Sequence, residues 1–181
     1  MNNLNRFSFY ILFLIYFSSC ENSKENIINF ISSEELPLEE LTHSEIMYTE
    51  NGMIKVKIMS NKMQRFVNDE DRVKLFDGVH FDFYRLDVEN QKSVLTSEIA
   101  IINNTTNIMK ASQNVILKSS DNKELLTEEL IWDKNKGLIY TDLEVVIRTE
   151  DEIISGIGFE STPDFTEYQI KQAKGIFSIN K

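Results

Sequence analysis

Alternation at period two limits this chain more than any other feature. Ile54, Val56 and Ile58 alternate with Lys55, Lys57 and Met59. Val79, Phe81 and Phe83 alternate with His80, Asp82 and Tyr84, and Leu95, Ser97, Ile99 and Ile101 with Thr96, Glu98 and Ala100. Side chains in a strand point to opposite faces in turn, so each run has one apolar and one wet face. Almost nothing of helical period occurs from His43 onward. Asn51-Gly52 marks a turn ahead of the first run. Segments 103–107, 119–122, 133–137 and 149–151 have turn compositions.

A weak internal repeat crosses these turns. Val94-Leu95-Thr96 returns as Leu125-Leu126-Thr127, and Asn114-Val115-Ile116-Leu117-Lys118 as Glu144-Val145-Val146-Ile147-Arg148. A pair of strands cannot bury its own apolar face, so such units stack. The predicted fold is all-β, a stacked two-sheet slab of short antiparallel strands, open at both ends. Open ends leave backbone groups that accept a neighbour's strand unless loops cover them.

The N-terminus carries a different signal. Arg6 precedes an apolar run over residues 7–17, too short to span a bilayer, followed by Ser18, Ser19 and Cys20. This is a secretory signal, and Phe17-Ser18-Ser19-Cys20 resembles the lipobox of bacterial lipoproteins. The resemblance implies cleavage before Cys20 and acylation of its thiol. As the only cysteine in the chain, Cys20 has no disulfide partner within it. Residues 1–19 are therefore predicted to be a signal peptide, 20–42 a polar tether and 43–181 one domain.

The chain has 29 acidic against 19 basic residues and a formal net charge of −10. That balance argues against nucleic acid, which needs clustered Lys and Arg. Catalytic readings find little. His43 and His80 are the only imidazoles, whereas a zinc site takes three or four ligands. Glu128-Glu129 and Asp151-Glu152 are neighbours in extended chain, so each pair points to opposite faces and forms no acid–base dyad. Gly156-Ile157-Gly158 lacks both the third glycine and the helix of a dinucleotide site. No enzyme activity, metal or cofactor is expected.

The ending Ile154-Ser155-Gly156-Ile157-Gly158-Phe159-Glu160, the segment Phe165 to Ile170 and Gly175-Ile176-Phe177 resemble the LptC family of lipopolysaccharide export. Tyr48-Thr49-Glu50-Asn51-Gly52, Leu126-Thr127-Glu128-Glu129-Leu130-Ile131-Trp132-Asp133 and Ile139-Tyr140-Thr141-Asp142 resemble its version in Bacteroidetes-type bacteria. The resemblance covers about residues 45–179. It implies a β-jellyroll that accepts lipopolysaccharide from an inner-membrane ABC transporter and passes it to a periplasmic bridge protein. Better-known members keep a transmembrane helix where this chain has a lipobox-like signal. The protein is therefore expected on the periplasmic side, anchored to a membrane through Cys20, the inner one rather than the outer.

Alternation places Val56, Ile58, Phe81, Phe83, Leu95, Ile99, Ile101, Val115, Leu117, Leu130, Trp132, Leu138, Tyr140, Val145 and Ile147 inward. Alone, such residues are either sandwich core or the wall of a lipid groove, and the resemblance points to the groove. It also assigns Gly156 and Gly158 to a structurally sensitive strand, places the transporter near residues 53–59, and places the bridge protein near residues 165–177. The other reading is a structural lipoprotein that binds proteins at its sheet edges and carries no lipid.

Overall fold

The computed structural model describes residues 36–67, 70–85, 88 and 91–178. Cys20, the expected signal peptide and most of the expected tether lie outside them. Ten strands follow in order: β1 (Glu39–Glu50), β2 (Met53–Val67), β3 (Asp71–Tyr84), β4 (Lys92–Ser97), β5 (Ile99–Asn103), β6 (Ile108–Lys118), β7 (Glu124–Asp133), β8 (Leu138–Arg148), β9 (Glu152–Ser161) and β10 (Tyr168–Ser178). No helix occurs among the described residues. Every pairing is antiparallel. The strands form one sheet in the order β1-β2-β3-β4-β6-β7-β8-β9-β10, with β5 set between β3 and β6 beyond the end of β4.

The two layers are halves of this single sheet, folded along a crease. Register shifts interrupt the ladders between Ser60 and Lys62, Ser112 and Val115, Leu126 and Ile131, and Thr141 and Glu144. Left-handed backbone marks the same line at Asp77 and Gly78 of β3, Gln113 and Asn114 of β6, and Gly158 of β9. Extra residues of this kind bend a strand and free backbone groups from the ladder. Hydroxyls re-pair several of them. Ser60 Oγ donates to Lys62 O at 3.1 Å, Ser97 Oγ to Ile99 O at 3.0 Å, and Leu143 N to Thr141 Oγ1 at 3.1 Å.

The repeat has a structural counterpart thirty residues apart. Leu95 faces Leu117 as Leu125 faces Ile147, so Leu95 corresponds to Leu125 and not to Leu126, with which the sequence repeat pairs it; Ile102 likewise faces Met109 as Trp132 faces Ile139. The connecting turns match as well. Asn103 Oδ1 accepts from the amides of Thr105 and Thr106, and Asp133 Oδ1 from those of Asn135 and Lys136. Each turn closes on a left-handed residue, Asn107 or Gly137. The two turns stack, with Asn107 Nδ2 donating to Asn135 Oδ1 at 3.2 Å.

Three expectations change. The sheet starts at Glu39, upstream of the expected boundary at 43, and the compact unit begins at Pro37. Residues 53–59 belong to β2, which β1 covers, so the N-terminal edge is β1. In its sequence EELTHSEIMYTE only Ile46 and Tyr48 pack against the core, as suits an edge strand with few residues to bury. Ile99, Ile101, Leu138 and Tyr140 do not point inward. A bend at Glu98 separates β4 from β5 and reverses the alternation, so Ala100 and Ile102 are buried and Ile101 is 36% exposed. In β8, pairing with β7 sets the phase. Trp132 lies inside, so its partner Ile139 does too, and Tyr140 beside Ile131 faces outward.

Candidate functional site

Between the halves lies an apolar face running from β1 to β10. Val56, Ile58, Phe81, Phe83, Leu95, Val115, Leu117, Leu130, Trp132, Val145 and Ile147 all stand on it and are buried. Leu75, Leu125, Ile139 and Phe159 join them fully buried. Leu125 and Ile139 were legible only through their partners' register. Phe165 gave no signal, because it sits in a turn between Asp164 and Thr166. Its ring is nonetheless wholly enclosed, 5.6 Å from Phe159 and 5.4 Å from Tyr168.

The turns at the far ends of the strands form two rims, and the rims meet. Trp132, near one rim, packs edge to face on Phe83 at 5.0 Å and on Tyr48 at 6.2 Å, both near the other. Lys134 Nζ stands 3.9 Å over the Tyr48 ring, and burial lowers its pKa. Burial raises that of the Tyr48 hydroxyl, with the charge of Asp71 adding to it. Further along, Ser93 Oγ donates to Pro163 O at 2.5 Å, and Arg85 Nε lies 3.7 Å from Asp164 Oδ2. Between these closures is a cleft of about 220 Å³ bounded by Val56, Phe83, Trp132, Pro163 and Asp164, with Lys55 and Arg85 at its lip. Behind it the inward side chains seal the interior.

On the outer face, Asp82 is a buried carboxylate. Lys92 Nζ is 2.8 Å and His80 Nε2 2.9 Å from its Oδ1. Burial pushes its pKa up, but the hydrogen bonds and charges of Lys92 and His80 outweigh that, and it is lowered. His43 and His80 converge on no metal site, since no group of three His, Cys, Asp or Glu able to hold a metal occurs among the described residues.

The two terminal strands each lack a strand partner on one side among the described residues. Leu41 and Met47 of β1 are half exposed, and Ile176 and Phe177 of β10 are 62% and 65% exposed. The lysines of β10 do not guard its edge. Lys171 reaches Asp142 at 2.7 Å and Lys174 reaches Glu144 at 2.5 Å, both across β9 on β8. Gly156 lies under β10, where an added Cβ would stand 2.4 Å from Ile170 Cγ2 and 2.7 Å from Gln172 O.

A family model described as Lipopolysaccharide-assembly, LptC-related matches residues 33–173, which hold β1 to β9 and the first half of β10. No curated protein sequence matches the chain.

Proposed function

The chain belongs to the LptC family of lipopolysaccharide assembly, and from that premise we propose that its folded sheet carries lipopolysaccharide between an inner-membrane ABC transporter and a periplasmic bridge protein. The family works in lipopolysaccharide export on the periplasmic side of the envelope and catalyses no reaction. The observation that carries the finer reading is the continuous apolar face between the two halves, ending at two strands with free sides. An acyl chain needs apolar walls and satisfied backbone on both sides, and two facing ladders supply both. In this reading β1 docks on the transporter and β10 on the bridge protein by strand addition. The lysines of β10 favour docking, because they are engaged with β8 and leave the edge unblunted.

Cys20 completes the proposal as a lipid anchor in the inner membrane. One acyl chain holds only marginally, whereas two or three hold durably. The sealed interior favours a second reading, a lipoprotein scaffold that binds proteins at its edges. A photocrosslinker separates the two. Placed at Phe81, on the inner face, it should capture lipopolysaccharide in cells; placed at Tyr140, on the outer face, it should not. Protein adducts alone at both positions would favour the scaffold.

A further inference from the structure

We propose that the loop of residues 162–167 is a strap that holds the folded sheet shut, and that the cleft beneath it is the port where one acyl chain of an anionic lipid enters. This rests on the lipid-carrying reading and adds how its interior opens.

The strap leaves β9 from one half and grips the other at three points. Pro163 O accepts from Ser93 of β4, Asp164 pairs with Arg85 beyond the end of β3, and Lys123 Nζ lies 5.6 Å over the ring of Phe165. Asp164 is the hub. Its Oδ1 accepts from Thr162 Oγ1 at 2.6 Å and from Thr166 Oγ1 at 2.9 Å, fixing the loop's shape, while Oδ2 faces Arg85. One carboxylate thus couples the conformation of the strap to the opposite rim.

Phe165 shows that the closed form is held under load. Its φ of 56 lies in the left-handed region, which a bulky aromatic residue rarely adopts. Such backbone persists where its surroundings over-determine it. Here the surroundings are Phe159 and Tyr168, which enclose the ring completely. Withdrawing the ring relieves the backbone and opens the interior together.

The cleft selects its occupant. Val56, Phe83 and Trp132 give it apolar walls. An apolar cavity of about 150 Å³ holds benzene, and pockets for drug-sized molecules start near 300 Å³. At about 220 Å³ the cleft takes the end of a hydrocarbon chain and excludes a whole lipid. The polar group at its lip that faces the strap is Arg85, which only donates. A phosphate or carboxylate arriving with the chain competes with Asp164 for that guanidinium, and success releases the strap.

Trp132 is the only tryptophan in the chain and lines the cleft, so it reports directly. The full chain is held in lipid nanodiscs and titrated with 11-bromoundecanoate, with Trp132→Phe as the blank. Saturable quenching is expected, with half-saturation at least threefold lower in Asp164→Asn and in Ser93→Ala, and severalfold higher for the neutral 11-bromoundecanol. Asp164→Asn keeps an oxygen for the two threonines, so its fold is retained while the charge pair is lost. Lipopolysaccharide should restore the emission. Half-saturation unchanged in both variants, quenching without saturation, or recovery with free fatty acid alone would overturn the proposal. Lipopolysaccharide captured at Phe81 with unmoved half-saturations leaves the lipid path standing and removes the strap; shifted half-saturations without that capture do the reverse.

Discussion

Phe83 and Trp132 meet edge to face with ring centroids 5.0 Å apart, although they stand on opposite halves of the folded sheet. Phe83 is next to last in the β3 segment that pairs with β4, and Trp132 is next to last in the β7 segment that pairs with β8. Their contact closes the two layers over each other where backbone hydrogen bonds cannot, since ladders run only within the sheet. Tyr48 extends the same aromatic contact to β1.

Truncating either ring should therefore loosen the closure. Phe83→Ala and Trp132→Ala are each expected to cost about 3–5 kcal/mol in urea unfolding. The double variant should cost less than the sum by about 0.5–1.5 kcal/mol, the size of an aromatic pair's coupling. Strict additivity would mean that the rings pack independently.

The strands and most of the inner face were legible because burial on one side imposes alternation. Val56, Ile58, Phe81 and Phe83 keep one phase through uninterrupted segments. Legibility failed where the crease breaks phase. Ser97 and Ile99 read as one alternating run, yet the bend at Glu98 places them on opposite faces, so Ile99 and Ile101 were assigned to the wrong side. Tyr140 failed differently, because its position depends on pairing with Ile131, a long-range fact that no local pattern carries. β1 escaped because only Ile46 and Tyr48 alternate on its core side, too short a run to announce an apolar face. Phe165 escaped because its burial depends on a left-handed turn.

Gly156 leaves no room for a side chain. A Cβ there would fall within 2.7 Å of the backbone oxygen of Gln172 on β10, so even Gly156→Ala must displace that strand. Overpacking of this kind costs about 1–3 kcal/mol. Gly156→Arg should detach β10 while the β2–β7 core stays folded, seen as fast amide exchange confined to residues 168–178. Lipopolysaccharide delivery should be lost with protein still made. Native exchange protection in that variant would contradict the close packing. At Gly158 φ is +75 and an added Cβ would also stand 2.8 Å from Lys171 Cδ and 3.0 Å from its Cβ, so Gly158→Ala should lose about 1–2 kcal/mol to the backbone conformation in addition to displacing Lys171.

The carboxylate of Asp82 makes stability fall in acid. Its pKa is lower in the folded protein than the ordinary value of 3.8, so the folded state binds fewer protons there than the unfolded chain. The stabilisation is full above the unfolded value, declines as pH falls past it, and is gone below the lowered folded value. Asp82→Asn should cost about 2 kcal/mol near neutrality through the lost charged hydrogen bonds. That difference should hold above about pH 5 and shrink as pH falls through about 4 and below. A difference independent of pH would assign the cost to packing.

The C-terminal edge separates folding from partner capture. Removing residues 165–181 takes Phe165 out of the core together with all of β10, so that truncation should unfold the C-terminal end of the sheet and lose every partner nonspecifically. Removing residues 176–181 takes away Ile176 and Phe177, both mostly exposed, and leaves Tyr168 and Ile170 packed against the core. The shorter truncation should keep the thermal midpoint within a few degrees, because exposed side chains contribute little. Strand addition at β10 depends on the length of free edge, so the truncated chain should retain less of the periplasmic bridge protein in pull-down while transporter capture stays unchanged. Reversing the assignment, with transporter capture lost and bridge capture kept, would place the exit at β1. Equal capture of both partners by the folded truncated chain would show that the last turn of edge in β10 is not where the bridge protein docks.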